Sequence, residues 1–387
     1  MKTLKDFDVQ NKRVLVRCDF NVPLDDKGNI LDDYRIQKTI PTIEYLIKKG
    51  AKVILMSHLG KPDGRLVESL RLTPVQNRLT ELLGLSITRA PDYISSDLRN
   101  WTKEMQAGEI LLLENLRFYK EEEENDGVFA EELAKLGDIY INDAFGCCHR
   151  AHASIAGVTK YLPSGAGLLL EKEIEVLSGV LKNPKRPLVS IIGGIKIESK
   201  AKTIEKLLEI SDHLLIGGEI ANTILNIKGI CLGRSLPEER TIERVGKINL
   251  TSSKLHLPVD GRIGLIDLKE SYFRIGAMGT LRKEEKSYDL GPETTRLFSD
   301  IIKTAKTIIW SGPLGFFEQE KFAEGSKVIA ESVIRNHSAF KIAGGGDTDS
   351  FLAKYNFRDK FDHVSTGGGA MLEFLSGEEL PGIKALE

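Results

Sequence analysis

Short, continuously apolar runs alternate along the chain with longer stretches in which apolar residues recur at helical spacing. In the first half the apolar runs are VLVRCDF (14–20), KVILMSHLG (52–60), EILLLENLRF (109–118) and DIYINDAFG (138–146). Amphipathic stretches lie between them, for example at 35–50 and 73–84. Buried runs that alternate with helices indicate a parallel sheet covered on both faces.

The second half of the chain repeats this arrangement. Its apolar runs are PLVSIIGG (187–194), HLLIGGEI (213–220), KTIIWSGPLG (306–315), FKIAGGGDT (340–348) and DHVSTGGGA (362–370). Helical spacing recurs at 199–210 and 320–336. We therefore predict an α/β fold with two doubly wound parallel-sheet (Rossmann-like) domains.

A helix is predicted to join the two halves. Pro163 and Gly165 interrupt the chain, and the helical pattern that follows ends before Pro184. The predicted division is an N-terminal domain at 1–163, a hinge helix at 164–182 and a C-terminal domain at 183–375. Hinges commonly use the ends of elements, so a helix between compact halves is a reasonable place for one.

Composition narrows the possible functions. Lys and Arg number 54 and Asp and Glu 56, a net charge of −2, which gives no general attraction to nucleic acid or to an anionic membrane. No apolar run approaches the ~20 residues of a membrane span, and the start has no apolar core of a secretory signal. The cysteines, at 18, 147, 148 and 231, lack zinc or disulfide-scaffold spacing, so we expect reduced thiols and a cytoplasmic location. The acidic run Glu121–Glu124 is expected to be a solvated helix face.

Polar side chains follow each apolar run of the first half. They are Arg17, Asp19, Asn21, Arg35, Ser57, His58, Lys61, Asn115, Arg117, Asn142, Asp143, His149, Arg150 and His152. Open α/β sheets bind ligands beyond the carboxyl ends of their strands. Arginine binds phosphate or carboxylate through two parallel hydrogen bonds, so this cationic rim suits a small polyanion.

Glycine takes the corresponding positions in the second half, at 193–194, 217–218, 312 and 315 (in GPLG), 344–346 and 367–369. Glycine lets the backbone approach a phosphate or a base closely, so these loops indicate a nucleotide site. Neither the P-loop sequence nor an opening GxGxxG is present. Lys196 and Lys200 adjoin the first loop. Asp347 is placed either to cap a helix or to hold Mg²⁺, and its position alone leaves both open.

Eight motifs in this chain resemble, in order and over nearly its whole length, those of the phosphoglycerate kinase family. They are RCDFNVPL (17–24), SHLGKP (57–62), LLLENLRF (111–118), NDAFGCCHRAHAS (142–154), GGIKIESK (193–200), WSGPLGFFE (310–318), GGGDT (344–348) and STGGGAMLEFLSG (365–377). The resemblance implies reversible, Mg²⁺-dependent phosphoryl transfer between 1,3-bisphosphoglycerate with ADP and 3-phosphoglycerate with ATP. It also implies a monomer, and a tail at 376–387 that packs back on the first domain.

The resemblance further implies a role for each matching residue. The acid would be held by Asp19, Asn21, Arg35, His58, Lys61, Arg117 and Arg150. Arg35 and Lys196 would stabilise the phosphoryl group in transfer. The nucleotide would be bound by Gly194, Lys200, Gly217, Gly218, Pro313, Glu318, Gly344, Gly345, Gly346, Asp347 and Thr348, with Asp347 as the Mg²⁺ ligand.

The sequence departs from the family pattern mainly on the nucleotide side. Ser311 and Glu219 replace the usual asparagine and glycine, and the segment 228–290 is shorter than usual. On the acid side Lys61 replaces arginine, and Cys147 and Cys148 replace small residues. We hypothesise that nucleotide affinity or base preference has changed. A kinase acting on another phosphorylated acid, and a non-catalytic protein on a kinase scaffold, are the competing interpretations.

Overall fold

The structure is a computed structural model that describes residues 1–90, 94–230, 238–268 and 272–387. Cys231 and part of the segment 228–290 therefore lie outside the described residues. The chain divides into two compact units. Unit 1 contains residues 1–175 together with 379–387, and unit 2 contains residues 176–378.

A six-stranded parallel sheet forms the centre of unit 1. Its strands are β1 (Arg13–Arg17), β2 (Lys52–Met56), β3 (Ile87–Arg89), β4 (Ile110–Leu112), β5 (Ile139–Asn142) and β6 (Ser164–Ala166). Their order across the sheet is β3-β4-β2-β1-β5-β6. The helices are α1 (Tyr34–Lys48), α2 (Thr73–Leu83), α3 (Ser96–Glu104), α4 (Lys120–Glu123) and α5 (Gly127–Ala134), followed by α6 (Leu168–Lys182), which continues into unit 2.

A second six-stranded parallel sheet forms the centre of unit 2. Its strands are β7 (Leu188–Ile192), β8 (His213–Ile216), β9 (Leu255–His256), β13 (Thr307–Ser311), β14 (Phe340–Gly344) and β15 (His363–Ser365), and a three-stranded antiparallel sheet contains β10 (Asp260–Leu265), β11 (Arg274–Ala277) and β12 (Glu285–Leu290). The helices are α7 (Ala201–Ile210), α8 (Gly218–Ile227), α9 (Glu239–Val245), α10 (Pro292–Thr304), α11 (Glu324–Arg335), α12 (Gly346–Lys354) and α13 (Gly368–Leu375). The parallel order is β15-β14-β13-β7-β8-β9.

Both parallel sheets are covered on two faces, as continuous apolar runs require. All five residues of β7 and of β13 are buried, and so are the last four of β1 and of β2. In unit 2, Trp310 is fully buried, and its ring centroid lies 5.8 Å from that of Phe351 and 6.2 Å from that of Phe361. These cores fix the strand ends from which the functional loops begin.

The direction of strand connection reverses once in each parallel sheet. In unit 1 the chain runs from β1 outward through β2 on one side, and β5 lies on the other side of β1. In unit 2 the reversal falls between β7 and β13, which are hydrogen-bonded neighbours. Ligands of open α/β sheets bind at such reversals, beyond the carboxyl ends of the strands.

The elements differ from the apolar runs in two respects. The strands are shorter than the runs, because the polar residues that end each run lie in loops: β1 ends at Arg17 and β4 at Leu112. The antiparallel sheet of β10, β11 and β12 was not predicted, and it falls within the segment that resembles the family least. No helix within the described residues has the length and apolar character that crossing a membrane requires.

A short helix at Pro381–Lys384 belongs to unit 1 although it follows unit 2 in the sequence. The backbone N–H of Gly382 donates to the carbonyl oxygen of Cys148 at 2.8 Å. A Cβ atom at Gly382 would lie 2.8 Å from the Cα of Cys148, so this close approach requires glycine.

Candidate active site

The loop after β1 brings an aspartate and an arginine together in unit 1. Asp19 is buried, and its Oδ2 accepts a hydrogen bond from Nη1 of Arg35 at 3.0 Å. The same Nη1 donates to the carbonyl oxygen of Asn21 at 3.1 Å. Asn21 in turn accepts from the backbone N–H of Gly60 at 2.8 Å through its Oδ1. The loops that follow β1 and β2 are thus tied to each other by side chains predicted to bind the acid.

Arg117 extends this network from the loop after β4. Its side chain is buried, and its Nη1 donates to the carbonyl oxygen of Gly60 at 2.9 Å. Its Nε lies 3.1 Å from Oε1 of Glu123. Burial lowers the pKa of Arg117 from its usual value, but a guanidinium remains charged in proteins. Arg117 is therefore a positioned positive charge beside the Arg35 and Asp19 pair.

His58 is almost completely buried among positive charges. Burial lowers its pKa well below the usual value, and Arg17, Arg117 and Arg35 lower it further. An Nη2–H of Arg17 lies 3.2 Å from Nδ1 of His58, so Nδ1 is the accepting nitrogen. We infer that His58 is neutral, with its proton on Nε2, and acts as a hydrogen-bond donor.

Arg17 and Glu122 form a buried charge pair beneath the loops. Nη2 of Arg17 lies 3.9 Å from Oε1 of Glu122. Ser154 bridges them, because its hydroxyl accepts from Nε of Arg17 at 2.7 Å and donates to Glu122 at 2.5 Å. The expectation that Glu121–Glu124 is a solvated face is therefore wrong for Glu122, whose side chain is fully buried. Nη1 of Arg17 donates a further hydrogen bond to the carbonyl oxygen of Cys18.

Two of the predicted acid-binding cations are exposed. Lys61 and Arg150 both point to solvent from loops of unit 1. Nε of Arg150 donates to Nε2 of His149 at 3.1 Å. Burial lowers the pKa of His149, and it lowers the pKa of the neighbouring His152 to about 3. Both histidines are therefore neutral beside Arg150.

The two adjacent cysteines have different surroundings. Sγ of Cys147 lies 3.9 Å from Nδ1 of His58. Sγ of Cys148 donates to the carbonyl oxygen of Ala144 at 3.5 Å and accepts from the side-chain amide of Asn142 at 3.6 Å. Burial raises the pKa of the Cys147 thiol to about 11 and that of Cys148 still further. Both groups are therefore thiols at neutral pH rather than reactive thiolates.

Lys200 lies beside the first glycine loop of unit 2. Its Nζ donates to the carbonyl oxygen of Gly193 at 2.7 Å and to that of Ser311 at 3.3 Å. Burial lowers its pKa to about 8, and the negative charge of Asp347 opposes that shift. The ammonium is thus held where the loops after β7 and β13 meet.

These loops approach so closely that glycine is required. Gly194 has φ +112°, and a Cβ atom there would lie 3.2 Å from Nζ of Lys200. Gly218 has φ +65°, and its Cβ would lie 2.9 Å from the carbonyl oxygen of Gly194. An L side chain at either position is both strained and crowded. Gly217 precedes Gly218 as the N-cap residue of α8, and its own Cβ would lie 2.7 Å from the side chain of Leu314.

A cavity of about 240 Å³ opens beside these glycines. Its wall contains five of the predicted nucleotide-binding residues, Gly194, Gly218, Pro313, Glu318 and Asp347. Ile195, Glu219, Leu268, Lys286, Ser287, Tyr288, Gly315 and Phe316 complete it. A wall of aliphatic and aromatic side chains with a few polar groups is typical of a site for a flat organic ligand.

The end of β14 and the start of α12 contain the remaining predicted nucleotide residues. Thr348 is buried, and its hydroxyl accepts from the N–H of Gly312 at 2.6 Å and donates to the carbonyl oxygen of Gly344 at 2.9 Å. Gly345 is the N-cap of α12 with φ +116°, and Gly346 is exposed with open space around it. Thr348 therefore joins the loops after β13 and β14.

Asp347 and Lys196 are exposed. Asp347 lies in the first turn of α12, and that helix has no side-chain cap, so the capping alternative for Asp347 is not seen. Within the part of the chain that the structure describes, neither the Asp347 carboxylate nor the Lys196 ammonium forms a hydrogen bond or an ion pair. A carboxylate available at the cavity wall fits Mg²⁺, which takes one or two carboxylates together with phosphate oxygens.

Glu219 forms an ion pair inside the cavity wall. Its Oε2 lies 3.0 Å from Nζ of Lys286 and accepts from the side-chain amide of Asn222 at 3.0 Å. Both charged side chains are about one-fifth exposed. The unusual carboxylate is thus neutralised by a lysine from β12 and lines the predicted nucleotide site.

Comparison with known proteins decides the family. The sequence model described as phosphoglycerate kinase matches residues 4–378. A phosphoglycerate kinase from Borreliella burgdorferi is 47% identical over 392 residues, covering 100% of this chain and 99% of that protein. One from Dictyoglomus turgidum is 46% identical, covering 99% of this chain and 98% of that protein.

The chain belongs to the phosphoglycerate kinase family. Solved structures agree: the phosphoglycerate kinase of Coxiella burnetii superposes with a TM-score of 0.85 at 38% identity, over 99% of this chain and 98% of its own. That of Pyrococcus horikoshii OT3 gives 0.87 at 33% identity, over 100% and 98%. The predicted family and the predicted fold with two doubly wound parallel sheets are confirmed. The chain is a phosphotransferase of the class that uses a carboxyl group as acceptor.

Several residues of the candidate site escaped prediction from the sequence. Glu122 and Ser154 lie beneath the loops predicted to bind the acid, and Leu268, Lys286 and Tyr288 line the cavity. Glu122 sits in an acidic run that looks solvated. Leu268, Lys286 and Tyr288 lie in the segment with the weakest family pattern. The stretch KSYDLGPE contains charged and polar residues, so nothing in it indicated that it forms the wall of a ligand cavity.

Proposed function

We propose that this chain catalyses reversible phosphoryl transfer between ATP and 3-phosphoglycerate, giving ADP and 1,3-bisphosphoglycerate. The proposal rests on one observation: the two sheets carry two different kinds of loop, one rich in charged side chains and the other rich in glycine. The loops of unit 1 join Asp19, Arg35 and Arg117 through hydrogen bonds to Asn21 and Gly60. His58 lies near these arginines and accepts a hydrogen bond from Arg17. Gly194, Gly218 and Gly315, from three glycine loops of unit 2, line one cavity, and Lys200 adjoins the first of these loops.

The proposed acid site uses positive charge and hydrogen-bond donors. Arg35 and Arg117 bind the phosphate and carboxylate oxygens of the acid, with Arg150 and Lys61 as exposed cations at the rim. Neutral His58 donates its Nε2 proton to an acid oxygen. Asp19 and Asn21 hold Arg35 and the Gly60 loop in position, and their side-chain oxygens would accept from the acid's hydroxyl.

The proposed nucleotide site uses close backbone contacts. Gly194, Gly217 and Gly218 allow the base and phosphates to approach the loops, and Pro313 and Glu318 border the same cavity. Lys200 binds nucleotide phosphates from the junction of two loops. Gly344, Gly345 and Gly346 with Thr348 set the position of Asp347, which would hold Mg²⁺. When bound, Mg²⁺ would neutralise charge on the nucleotide phosphates.

The residues around the transferred group act by position and charge. An acid carboxylate oxygen attacks the γ-phosphorus in line with the departing ADP oxygen, and negative charge spreads over the three equatorial oxygens. Lys196 and Arg35 supply positive charge at those oxygens. Exclusion of water protects the acyl phosphate from hydrolysis. No side chain needs to form a covalent intermediate.

The domain assignment belongs to the same proposal. Residues 164–182 act as a hinge between an acid-binding domain and a nucleotide-binding domain. Support comes from α6, because its residues are shared between unit 1 and unit 2. Small-angle scattering with neither, one or both ligands tests the hinge, since a rigid chain would give identical profiles. We also propose a monomer in the cytoplasm, which sedimentation and cell fractionation would check.

The activity is tested by coupling the reaction to glyceraldehyde-phosphate dehydrogenase. We expect NADH oxidation that requires 3-phosphoglycerate, ATP and Mg²⁺ together. Replacing Asp347 by asparagine should raise the Mg²⁺ concentration needed for half-maximal rate. Activity with other phosphorylated acids, but none with 3-phosphoglycerate, would refute the proposed substrate.

A further inference from the structure

Three side chains from three separate loops of unit 1 present metal-ligating atoms to one point. Asp19 follows β1, His58 follows β2, and Cys147 follows β5. All three are buried, and one ligand atom from each lies within 4.8 Å of the others. Sγ of Cys147 lies 3.9 Å from Nδ1 of His58.

These separations approach those of a bound zinc-type ion. Zinc bonds to sulfur at about 2.3 Å and to nitrogen or carboxylate oxygen at about 2.0–2.2 Å, so two ligands of one tetrahedral ion lie about 3.3–3.6 Å apart. The Sγ to Nδ1 distance exceeds this by a few tenths of an ångström. A thiol, an imidazole and a carboxylate suit zinc and its congeners far better than Mg²⁺ or Ca²⁺.

We propose that Asp19, His58 and Cys147 bind one divalent ion of the zinc type, such as Zn²⁺, Cd²⁺ or Co²⁺. The ion takes three protein ligands and keeps a fourth position open. Binding releases the Cys147 thiol proton to the buffer, so the new thiolate offsets one of the two positive charges of the ion, while Asp19 is shared between the ion and Arg35. Cys147 is one of the positions at which this chain departs from its family.

The surrounding arginines already have negative partners. Arg17 lies beside Glu122, Arg35 is paired with Asp19, and Arg117 is paired with Glu123. Asp19 accepts from Arg35 through Oδ2, whereas among the described residues its Oδ1 accepts just one long bond, of 3.3 Å, from the N–H of Asn21. One carboxylate oxygen is therefore available to a metal without loss of the Arg35 pair.

The protonation state of His58 also suits metal binding. Nδ1 of His58 carries a lone pair, which now accepts from Arg17 at 3.2 Å. A metal at Nδ1 replaces that hydrogen bond, and Arg17 keeps its contacts with Ser154 and the carbonyl oxygen of Cys18. The rearrangement is therefore limited to one side chain.

The consequence for the enzyme rests on the proposed function. Asp19 and His58 are proposed to contact or position the acid, so an ion held there and 3-phosphoglycerate compete. Excess zinc would then inhibit the enzyme by occupying the acid site, and a chelator would restore activity.

Metal binding is tested by titrating the whole chain with Cd²⁺ without nucleotide, which would itself bind the metal. The readouts are calorimetry and the ultraviolet charge-transfer absorption of a cadmium–thiolate bond. Cys148→Ala is the matched control, because Sγ of Cys148 is turned to Ala144 and Asn142. We expect wild type and Cys148→Ala to bind one tight Cd²⁺ with the absorption band. Cys147→Ala should lose the band and bind at least about tenfold more weakly.

An unchanged band and affinity in Cys147→Ala would overturn the proposal. If circular dichroism shows that Cys147→Ala is unfolded, His58→Gln is used instead. In that variant Cys147 still supplies the thiolate, so we expect weaker binding rather than loss of the band, and unchanged affinity would overturn the proposal. A separate arm adds 3-phosphoglycerate to the Cd²⁺ complex. Displacement supports competition, whereas a tight Cys147-dependent complex that the acid cannot displace leaves the metal site standing and removes Asp19 and His58 from the acid site.

Discussion

Nζ of Lys200 lies 2.7 Å from the carbonyl oxygen of Gly193. The lysine thereby bridges its own loop to the loop after β13, whose Ser311 carbonyl lies 3.3 Å away. Burial of an ammonium favours its neutral form, and this is the cause of its lowered pKa of about 8. The group proposed to bind nucleotide phosphates thus titrates close to physiological pH.

The pH dependence of ATP binding should report this lysine. Above about pH 8 the free enzyme loses the Lys200 charge, so KM for ATP should rise, by up to about tenfold per pH unit. Below that pH the ammonium is retained and KM should be flat. Lys200→Arg stays charged and should show no alkaline rise. An alkaline rise that survives in Lys200→Arg would assign the effect to another group.

Lys196→Ala should reduce kcat by about 10²–10³, because one positive charge at the transferred phosphoryl group is lost. Its side chain is exposed, so the melting temperature should not change. Lys202→Ala, which removes another exposed lysine nearby, serves as control. Unaltered turnover in Lys196→Ala would remove this residue from the chemical step.

Arg150→Ala should raise KM for 3-phosphoglycerate with little effect on KM for ATP. Arg150 is exposed, and its Nε donates a hydrogen bond to His149. Among the described residues it has no carboxylate partner, so its charge is available to an acid. Lys48→Ala, an exposed cation on α1, should leave both constants unchanged. Equal KM values for Arg150→Ala and Lys48→Ala would contradict the role.

Gly194→Ala should lower the free energy of unfolding by about 1–3 kcal/mol, the usual cost of forcing an L residue into such a conformation. Its φ is +112°, and the added Cβ would lie 3.2 Å from Nζ of Lys200. Gly346→Ala is the control, since nothing lies within 4 Å of its Cβ. Denaturant titration without ligands compares the two. The prediction fails if both variants are equally stable.

Glu219→Gln should change the ratio of KM for GTP to KM for ATP. The Glu219 and Lys286 pair lines the cavity at 3.0 Å, so neutralising one partner leaves Nζ of Lys286 free to act on a base or a phosphate. Glu239→Gln alters an equivalent first-turn glutamate on α9 and should not change the ratio. The same ratio in wild type and Glu219→Gln would show that the pair is only structural.

Most of the fold could be predicted, because strands of a buried parallel sheet appear in the sequence as continuous apolar runs. All five residues of β13 are buried, and the run at 306–315 shows this directly. β12 could not be predicted in the same way. It contains Glu285, buried through an ion pair of 2.6 Å with Arg274 on β11, so its sequence reads as polar although its side chains are enclosed.

The residues of the candidate site also differ in whether the sequence alone could identify them. Asp19, His58 and Arg117 follow apolar runs and could be found by position alone. Glu122 could not, because its burial depends on Arg17 and Ser154, which lie far from it in the sequence. Charge pairs between distant segments leave no local pattern, so supporting residues are harder to predict than the residues they support.

The hydrogen bond between Gly382 and Cys148 means that unit 1 is completed only after residue 382 has been synthesised. Residues 379–387 belong to unit 1, yet the ribosome makes them only after all of unit 2. A nascent chain can therefore complete the parallel sheet of unit 2 while the loop that carries Cys147 and Cys148 still lacks its C-terminal support. An interrupted translation product would carry one finished half and one unfinished half, and the unfinished half is the older one.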